Sequence, residues 1–267
     1  MNLSEINTSL YYTLLPAAAI TLFLMSALVV FCGKVIIYGM PSTDRVEQRG
    51  HSPFIGKLLM EYWFWLFKPL ERTIVKVRIS PDAVTVFGTM LAGAAGVAFY
   101  NGYFVAGGWL MIFGGTMDIL DGAVARALNM QSKAGAFLDS TLDRYAELFS
   151  LGGLVCYYSG TPFVTVVFMA VLGSTLVSYT RARAEASGVE AKMGNMQRAE
   201  RVMYIGIGTA FSPVVANIFE PGAAKPMFYL AMIAISIVAF FSNTTALRRL
   251  FYTYKTLKNS ENVSPRQ

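Results

Sequence analysis

The sequence predicts an all-α integral membrane protein with about seven membrane-spanning helices. Of its 267 residues, 55% are hydrophobic and 14% are charged, whereas soluble domains carry about 25% charged residues. Apolar runs long enough to cross a bilayer recur along the chain. The lysines and arginines that give the net charge of +6 collect between these runs. They therefore mark the cytoplasmic side of a membrane protein, and we expect no nucleic-acid partner.

The order of the elements follows from hydropathy and from helix-start signals. After a first span at residues 14–38 comes a charged loop at 40–52. Residues 53–77 mix aromatic and leucine side chains with charged ones, which is typical of an amphipathic helix on the membrane surface or of an ordinary helix between spans. Pro81 follows a serine, as at many helix starts. The remaining spans are expected at 83–100, 103–128, 135–158, 163–184, 202–219 and 227–251.

We therefore expect four segments. They are an extra N-terminal transmembrane segment and loop (1–52), a juxtamembrane amphipathic helix (53–78), a six-helix domain (79–252) and a polar cytoplasmic tail (253–267). One set of loops holds nearly all the cations, and the other set is short, with a lone Lys225. By the positive-inside rule, we expect the protein to lie in the cell (inner) membrane, with its N-terminus on the outside, its C-terminus in the cytoplasm and the aspartates at the cytoplasmic face.

Residues 117–145 concentrate the chemistry of the chain. Asp118 and Asp121 are three residues apart, and Asp139 and Asp143 are four apart, so each pair shares a helix face. A carboxylate within the membrane costs roughly 2.5–3.5 kcal/mol, which makes four of them hard to explain without cations. The residues between the pairs are polar and suit a turn. Two helices joined by that turn would point all four acids into one site.

Oxygen ligands of this kind suit Mg²⁺, Mn²⁺ or Ca²⁺ rather than zinc. Two divalent cations would balance four negative charges, clamp a diphosphate and stabilise an in-line displacement at phosphorus. Gly122 and Gly135 lack side chains that would keep a bulky ligand away from the metals. Arg126 lies one helical turn beyond Gly122 and can neutralise a phosphate oxygen.

These residues, taken together, resemble the complete signature of the CDP-alcohol phosphotransferases, also called CDP-alcohol phosphatidyltransferases. The matching pattern is Asp118-x-x-Asp121-Gly122-x-x-Ala125-Arg126, eight residues, then Gly135-x-x-x-Asp139-x-x-x-Asp143. The resemblance implies a six-helix membrane enzyme and a homodimer, with two Mg²⁺ ions per site, Mn²⁺ being an alternative. It also implies transfer of the phosphatidyl group of CDP-diacylglycerol to a polar alcohol, with release of CMP.

The resemblance also implies residue roles. All four aspartates would ligate metal, and Asp143 would in addition act as the general base on the acceptor hydroxyl. The element Pro81-Asp82-x-x-Thr85 resembles the opening of the family's first helix, which contacts the nucleotide. The implied CDP-binding residues are Asp82, Thr85, Asp118, Gly122, Ala125, Arg126 and Gly135.

Residues 179–201 are similar to a basic region of bacterial phosphatidylinositol-phosphate synthases. By position, the basic trio that grips inositol phosphate there would be Arg181, Arg201 and, more loosely, Arg248. This chain has Arg181 where lysine is usual, and Gln-Arg-Ala-Glu-Arg at 197–201 where Glu-Arg-Pro-Glu-Arg is usual. Both departures keep positive charge, so a phosphorylated, inositol-phosphate-like acceptor is favoured. Glycerol phosphate, free inositol and serine are the alternative acceptors.

Two other classes of protein carry acids within the membrane. A membrane prenyltransferase would place its acidic pairs on well-separated helices of a longer chain, whereas here both pairs lie in one hairpin. A cation transporter would not need Gly122, Arg126 and Gly135 at fixed offsets from the acids. The sequence therefore favours the transferase.

Overall fold

The computed structural model describes residues 3–39, 56–191, 193–194 and 196–263. Over these residues the chain forms helices and no strand, which confirms the all-α prediction. The predicted charged loop at 40–52 lies outside the described residues. The helices are α1 (Leu3–Tyr38), α2 (Lys57–Val77), α3 (Pro81–Tyr100), α4 (Phe104–Ala127), α5 (Lys133–Tyr157), α6 (Val164–Ala186), α7 (Arg198–Phe219) and α8 (Tyr229–Val263).

Six of the described helices are long and apolar enough to cross a membrane: α1 through its Ala18–Tyr38 part, α3, α4, α6, α7 and α8. The protein is therefore an integral membrane protein. Helix α5 fills the predicted span at 135–158, but its acidic and basic side chains keep it outside this apolar group. Helix α5 packs against α3, α4 and α6, and its polar residues Glu147 and Ser150 are buried among these helices. That α5 also crosses the bilayer stays a prediction.

The last helix is longer than the sequence suggested. We expected the apolar span to end near 251 and a polar tail to follow, whereas α8 continues through Val263. The residues from 252 to 263 include no glycine or proline, so nothing in the sequence stops the helix there. The predicted division of the chain at 52, 78 and 252 otherwise stays a prediction.

Small residues let the central helices approach closely. Helices α3 and α5 cross at Gly96 and Gly153, where a Cβ on Gly153 would lie 2.6 Å from the carbonyl carbon of Gly96. Near this crossing, the hydroxyl of Ser150 on α5 donates to the carbonyl of Ala92 on α3, at 3.1 Å. Lipid gives helices little hydrophobic drive to associate, so close backbone packing and interhelical hydrogen bonds hold them together. This crossing fixes α5 against α3.

Aromatic side chains fill the end of the bundle where α3 meets α4 and α5 meets α6. Phe104 stacks on Phe228 with ring centroids 4.1 Å apart. Tyr157 and Tyr158 donate hydrogen bonds to the carbonyls of Pro226 and Met227, at 2.6 and 2.8 Å. This cluster holds the connection before α8 to the rest of the bundle. The acidic residues of α4 and α5 lie at the opposite ends of those helices.

Helices α1 and α2 attach to the side of this bundle. Tyr62 of α2 donates to the carbonyl of Leu24 of α1 at 2.6 Å, which joins the two helices. Trp63 of α2 donates to the hydroxyl of Thr116 of α4 at 3.1 Å. Because Thr116 lies two residues before Asp118, α2 is anchored beside the predicted site.

Candidate active site

The hairpin of α4 and α5 brings the aspartates of the two pairs together. Asp118 and Asp121 lie in the last three turns of α4, and Asp139 lies in the second turn of α5. Each of these three offers a carboxylate oxygen within 4.8 Å of those of the other two. The turn between the helices uses Asn129 in the left-handed conformation, with φ 54°, which asparagine tolerates well. The structure thus gathers three of the four predicted ligands into one acidic cluster.

Asp143 joins this cluster through an arginine. One nitrogen of Arg198, Nη1, lies 2.8 Å from Oδ2 of Asp118 and 2.7 Å from Oδ1 of Asp143. The three side chains are 14–26% exposed, so the contacts are partly shielded from water. Arg198 is the first residue of α7, which therefore forms a third wall beside α4 and α5.

The donor set fits a hard divalent cation. Asp118, Asp121 and Asp139 supply only carboxylate oxygens, the ligands that Mg²⁺, Mn²⁺ and Ca²⁺ prefer. Oδ1 of Asp139 is buried and accepts no hydrogen bond from the described residues. A buried carboxylate oxygen left in this way needs a positive partner, since its desolvation is costly. The site therefore has both the chemistry and an unsatisfied atom for a metal ion.

The start of α3 contacts both helices of the hairpin. The hydroxyl of Thr85 lies 2.6 Å from Oδ2 of Asp121 and donates to it, and Asp121 itself is 5% exposed. A Cβ on Gly135 would lie 3.4 Å from Oδ1 of Asp82, so Asp82 lies beside the start of α5. Ser80 caps α3 by accepting the amide of Ala83 at 3.3 Å. The two predicted nucleotide-binding motifs therefore meet at one place, next to the acidic cluster.

The remaining predicted CDP-binding residues line the hairpin. Gly122 is followed on α4 by Arg126, and a Cβ on Gly122 would lie 3.5 Å from Nη1 of Arg126. Arg126 is exposed, and Ala125 is half-buried beside it. Ser132 caps α5 by accepting the amide of Gly135 at 2.9 Å. The beginning of α5 thus presents a glycine, without a side chain, to the space between Asp82 and the cluster.

The arginines predicted to bind the acceptor lie in different environments. Arg181 on α6 pairs with Glu185 at 2.9 Å, and both side chains are about half exposed. Arg201 on α7 is 1% exposed. Its Nε donates to Oε1 of Glu147 at 2.7 Å, and its Nη1 donates to the carbonyl of Met196 at 3.1 Å. The carboxylate of Glu147 therefore fixes the position of the Arg201 guanidinium.

The third predicted arginine, Arg248, is exposed. Its neighbour Arg249 is 2% exposed and donates to the carbonyls of Met193 and Val177, at 2.8 and 2.7 Å. Arg249 also lies within electrostatic reach of Arg181 and Arg201. Successive residues of a helix point about 100° apart, so only one of the two can face these arginines. In the structure Arg249 is the one that lies near Arg181 and Arg201, while a role of Arg248 in acceptor binding stays a prediction.

Sequence reasoning named Arg198 only as one of several arginines near the site, without pairing it with the aspartates, and it did not single out Glu147, although each gave a signal. Glu147 follows Asp143 by four residues and so continues the acidic face of α5. A cation at the first position of a helix opposes the helix dipole, so Arg198 needs a carboxylate partner nearby. Arg144 completes the network: it lies 3.5 Å from Glu147 and donates to the hydroxyl of Ser178 on α6. The Arg144–Glu147–Arg201 network therefore lies next to the acidic cluster, with Glu147 within electrostatic reach of Arg198.

Comparisons with known proteins agree with this geometry. The family model of the CDP-alcohol phosphatidyltransferases matches residues 78–246. A phosphatidylinositol phosphate synthase of Mycobacteroides abscessus is 34% identical over 162 residues, covering 59% of this chain and 74% of the relative. An archaetidylinositol phosphate synthase of Methanothermobacter thermautotrophicus is 31% identical over 197 residues, covering 72% of this chain and 94% of the relative.

Solved structures agree as well. The crystal structure of Mycobacterium tuberculosis phosphatidylinositol phosphate synthase with CDP-DAG bound is 29% identical and superposes with a TM-score of 0.60, covering 70% of this chain and 92% of that one. The same enzyme with manganese and citrate gives a TM-score of 0.60 over 70% of this chain and 88% of that one. This chain therefore belongs to the CDP-alcohol phosphatidyltransferase family, as its aspartate pattern predicts.

Proposed function

We propose that this protein transfers the phosphatidyl group of CDP-diacylglycerol to a phosphorylated, inositol-phosphate-like alcohol and releases CMP. The observation that carries the proposal is the acidic cluster of Asp118, Asp121 and Asp139, with Asp143 beside it, in a hairpin with the family's motif. The relatives named above differ in their lipid, phosphatidyl or archaetidyl, and share inositol phosphate in their names. The acceptor is thus the part of the reaction that the relatives have in common.

The four aspartates, Asp118, Asp121, Asp139 and Asp143, would hold two Mg²⁺ ions, with Mn²⁺ as an alternative. When bound, such ions neutralise a diphosphate and the charge that develops during displacement at phosphorus. The protein's own part is to fix the carboxylates. Thr85 holds Asp121 by a hydrogen bond, and the capped start of α5 orients Asp139.

The CDP group would lie where α3 meets the hairpin. Asp82 and Gly135 face each other there, and Thr85 lies one turn further into α3. The glycine leaves room for the nucleotide, and the exposed guanidinium of Arg126 can pair with a phosphate oxygen. Ala125, Gly122 and Asp118 complete this pocket. The acyl chains would remain in the bilayer beside the helices.

Asp143 would remove the proton from the acceptor hydroxyl. The acceptor oxygen then forms a bond to the lipid-bearing phosphorus while the bond to the CMP oxygen breaks, in one direct displacement. Asp143 suits this role because it lies one helical turn beyond Asp139 on the same face of α5, beside the cluster, and its side chain is only 14% exposed. A positioned general base contributes typically 10²–10⁴-fold to a reaction rate.

The phosphate of the acceptor would bind between Arg181, Arg201 and Arg249. Arg249 lies within electrostatic reach of both Arg181 and Arg201, so an anion between them would relieve the repulsion. Arg201 pairs with Glu147, which lies within electrostatic reach of Arg198 beside the acidic cluster. A phosphate held there would place the hydroxyl of the same molecule near Asp143. A neutral acceptor would leave the repulsion in place.

We further propose that the protein lies in the cell (inner) membrane with its site facing the cytoplasm, its N-terminus outside and its C-terminus inside. We also propose that two copies form a homodimer. Cations cluster at the helix ends where α2 connects to α3, α4 to α5 and α6 to α7, and the aspartates lie beside these ends. Soluble acceptors and CDP-lipids would meet at this face.

The experiment that tests the proposal is an acceptor screen. The purified full-length protein in lipid bilayers is given CDP-diacylglycerol, Mg²⁺ and, one at a time, inositol phosphate, inositol, glycerol phosphate and serine. We expect CMP release with inositol phosphate, and none with free inositol or serine. Faster release with an unphosphorylated alcohol would contradict the proposed acceptor class, and no release with any of them would contradict the transferase.

A further inference from the structure

Arg198 occupies an unusual position for a cation. It begins α7, where the helix dipole disfavours positive charge, and it lies between acids of two other helices. A single nitrogen, Nη1, is shared by Asp118 of α4 and Asp143 of α5, at 2.8 and 2.7 Å. Both contacts are partly buried, where ion pairs are strong. The arginine therefore holds the two sides of the hairpin together.

The same carboxylates are proposed metal ligands, so Arg198 and a divalent cation have to share them. A guanidinium keeps its charge at any physiological pH and so cannot relieve this conflict by losing a proton. A metal ion that binds Asp118 and Asp143 would lie close to the guanidinium and be repelled by it. Either the metal binds weakly, or the guanidinium moves when the metal arrives.

Glu147 offers Arg198 a second acidic partner. Arg198 and Glu147 line the same small cavity between α3, α4, α5 and α7, which has room for about one water molecule. Glu147 already lies within electrostatic reach of Arg198. Oε1 of Glu147 accepts from Arg201 and its Oε2 lies 3.5 Å from Arg144, but a carboxylate has several acceptor positions, so Glu147 can also accept from a third guanidinium. The side chain of Arg198 can therefore shift from Asp118 and Asp143 toward Glu147 without losing an acidic partner.

We propose that Arg198 is a resident counter-ion of the metal site, which competes with divalent cations. Without metal it neutralises Asp118 and Asp143, and on metal binding it withdraws toward Glu147. This inference rests on the metal site proposed above. Arg198 thereby lowers the affinity of the site for metal and keeps Asp118 and Asp143 together when no metal is bound. Removal of the arginine should therefore weaken the metal-free fold and strengthen metal binding.

The test uses the full-length protein in detergent, without substrate, and Mn²⁺ as the probe. Free Mn²⁺ is measured by its electron paramagnetic resonance signal, and thermal unfolding is followed in EDTA. For Arg198→Gln we expect Mn²⁺ affinity to rise about tenfold, the scale of changes at residues that contact metal ligands. We also expect its unfolding temperature in EDTA to fall. Arg183→Gln, an exposed arginine of α6 with the same change in charge, should match the wild type in both.

Arg198→Lys guards against a Gln variant that does not fold, because lysine keeps the charge but loses the planar group that bridges two acids. It should bind Mn²⁺ a few-fold more tightly than the wild type. Mn²⁺ affinity equal to or below that of the wild type, in whichever variant is folded, would overturn the role of Arg198. Absence of Mn²⁺ binding in the wild type and in both variants would overturn the metal site itself. The two failures are therefore distinguishable.

Discussion

Gly153→Ala tests whether the crossing of α3 and α5 positions the site. A methyl group at Gly153 would overlap the carbonyl oxygen of Gly96 and would lie 2.6 Å from its carbonyl carbon, where ordinary contacts begin at 3.4 Å. The two helices would have to separate by at least about 0.8 Å to relieve the contact with the carbonyl carbon, and by more for the nearer carbonyl oxygen. That movement would also stretch the hydrogen bond from Ser150 to Ala92.

The size of the effect follows from three terms. Overpacking of a close contact costs about 1–3 kcal/mol. A weakened interhelical hydrogen bond adds about 0.6 kcal/mol. Alanine is about 1 kcal/mol better than glycine within a helix, which offsets part of the loss. The net destabilisation is therefore about 0.6–2.6 kcal/mol. At 2–4 °C per kcal/mol, it lowers the unfolding temperature by roughly 1–10 °C.

The chain supplies a matched control one residue away. A Cβ on Gly152 would meet no atom within 4 Å, so Gly152→Ala gains the helix propensity without the clash. Thermal unfolding of both variants and the rate of CMP release provide the comparison. We expect Gly152→Ala to match or exceed the wild type in stability and to keep its rate, while Gly153→Ala loses both because Asp139 and Asp143 move with α5. Equal behaviour of the two variants would refute the account of this crossing.

Three further predictions concern the site. Asp143→Asn should reduce CMP release at least 10²-fold with the fold intact, because the amide cannot take a proton; normal turnover would exclude Asp143 as the base. Thr85→Val should weaken Mn²⁺ binding 10–100-fold, because the hydrogen bond to Asp121 is lost. Thr85→Ser keeps the hydroxyl and should bind Mn²⁺ as the wild type does; a Ser variant as weak as the Val variant would contradict this. Arg249→Lys should raise the KM for a phosphorylated acceptor about tenfold and leave the KM for CDP-lipid unchanged. Arg248→Lys, at an exposed position, should leave both KM values unchanged. Equal effects of Arg249→Lys on both substrates would argue against acceptor binding.

The fold and the acidic cluster were largely predictable from the sequence. Helix spacing put each aspartate pair on one face, and the polar turn at 129–132 fixed the hairpin, so the meeting of Asp118, Asp121 and Asp139 followed from local rules. The start of α3 followed from Ser80 and Pro81 in the same way. These features depend on contacts between residues that are close in the sequence.

The arginine network was less predictable, because it depends on how distant helices rotate against one another. Choosing between Arg248 and Arg249 requires the rotation of α8 relative to α6, which the sequence does not encode locally. Arg198 meets Asp118 across a separation of 80 residues. Its position at a helix start is a signal that it needs an acid, but several acids of the chain would satisfy that need equally well. Only the packing of α7 against α4 selects its partners.

The most direct test of the central claim is the metal dependence of CMP release from CDP-diacylglycerol. The full-length protein in bilayers, supplied with inositol phosphate, should release CMP in the presence of Mg²⁺, stop when EDTA is added, and resume when Mg²⁺ or Mn²⁺ is restored. Asp121→Asn, which alters a carboxylate at the centre of the cluster, should release little CMP under any of these conditions. CMP release that continues undiminished in excess EDTA would contradict the claim that these aspartates act by holding divalent cations.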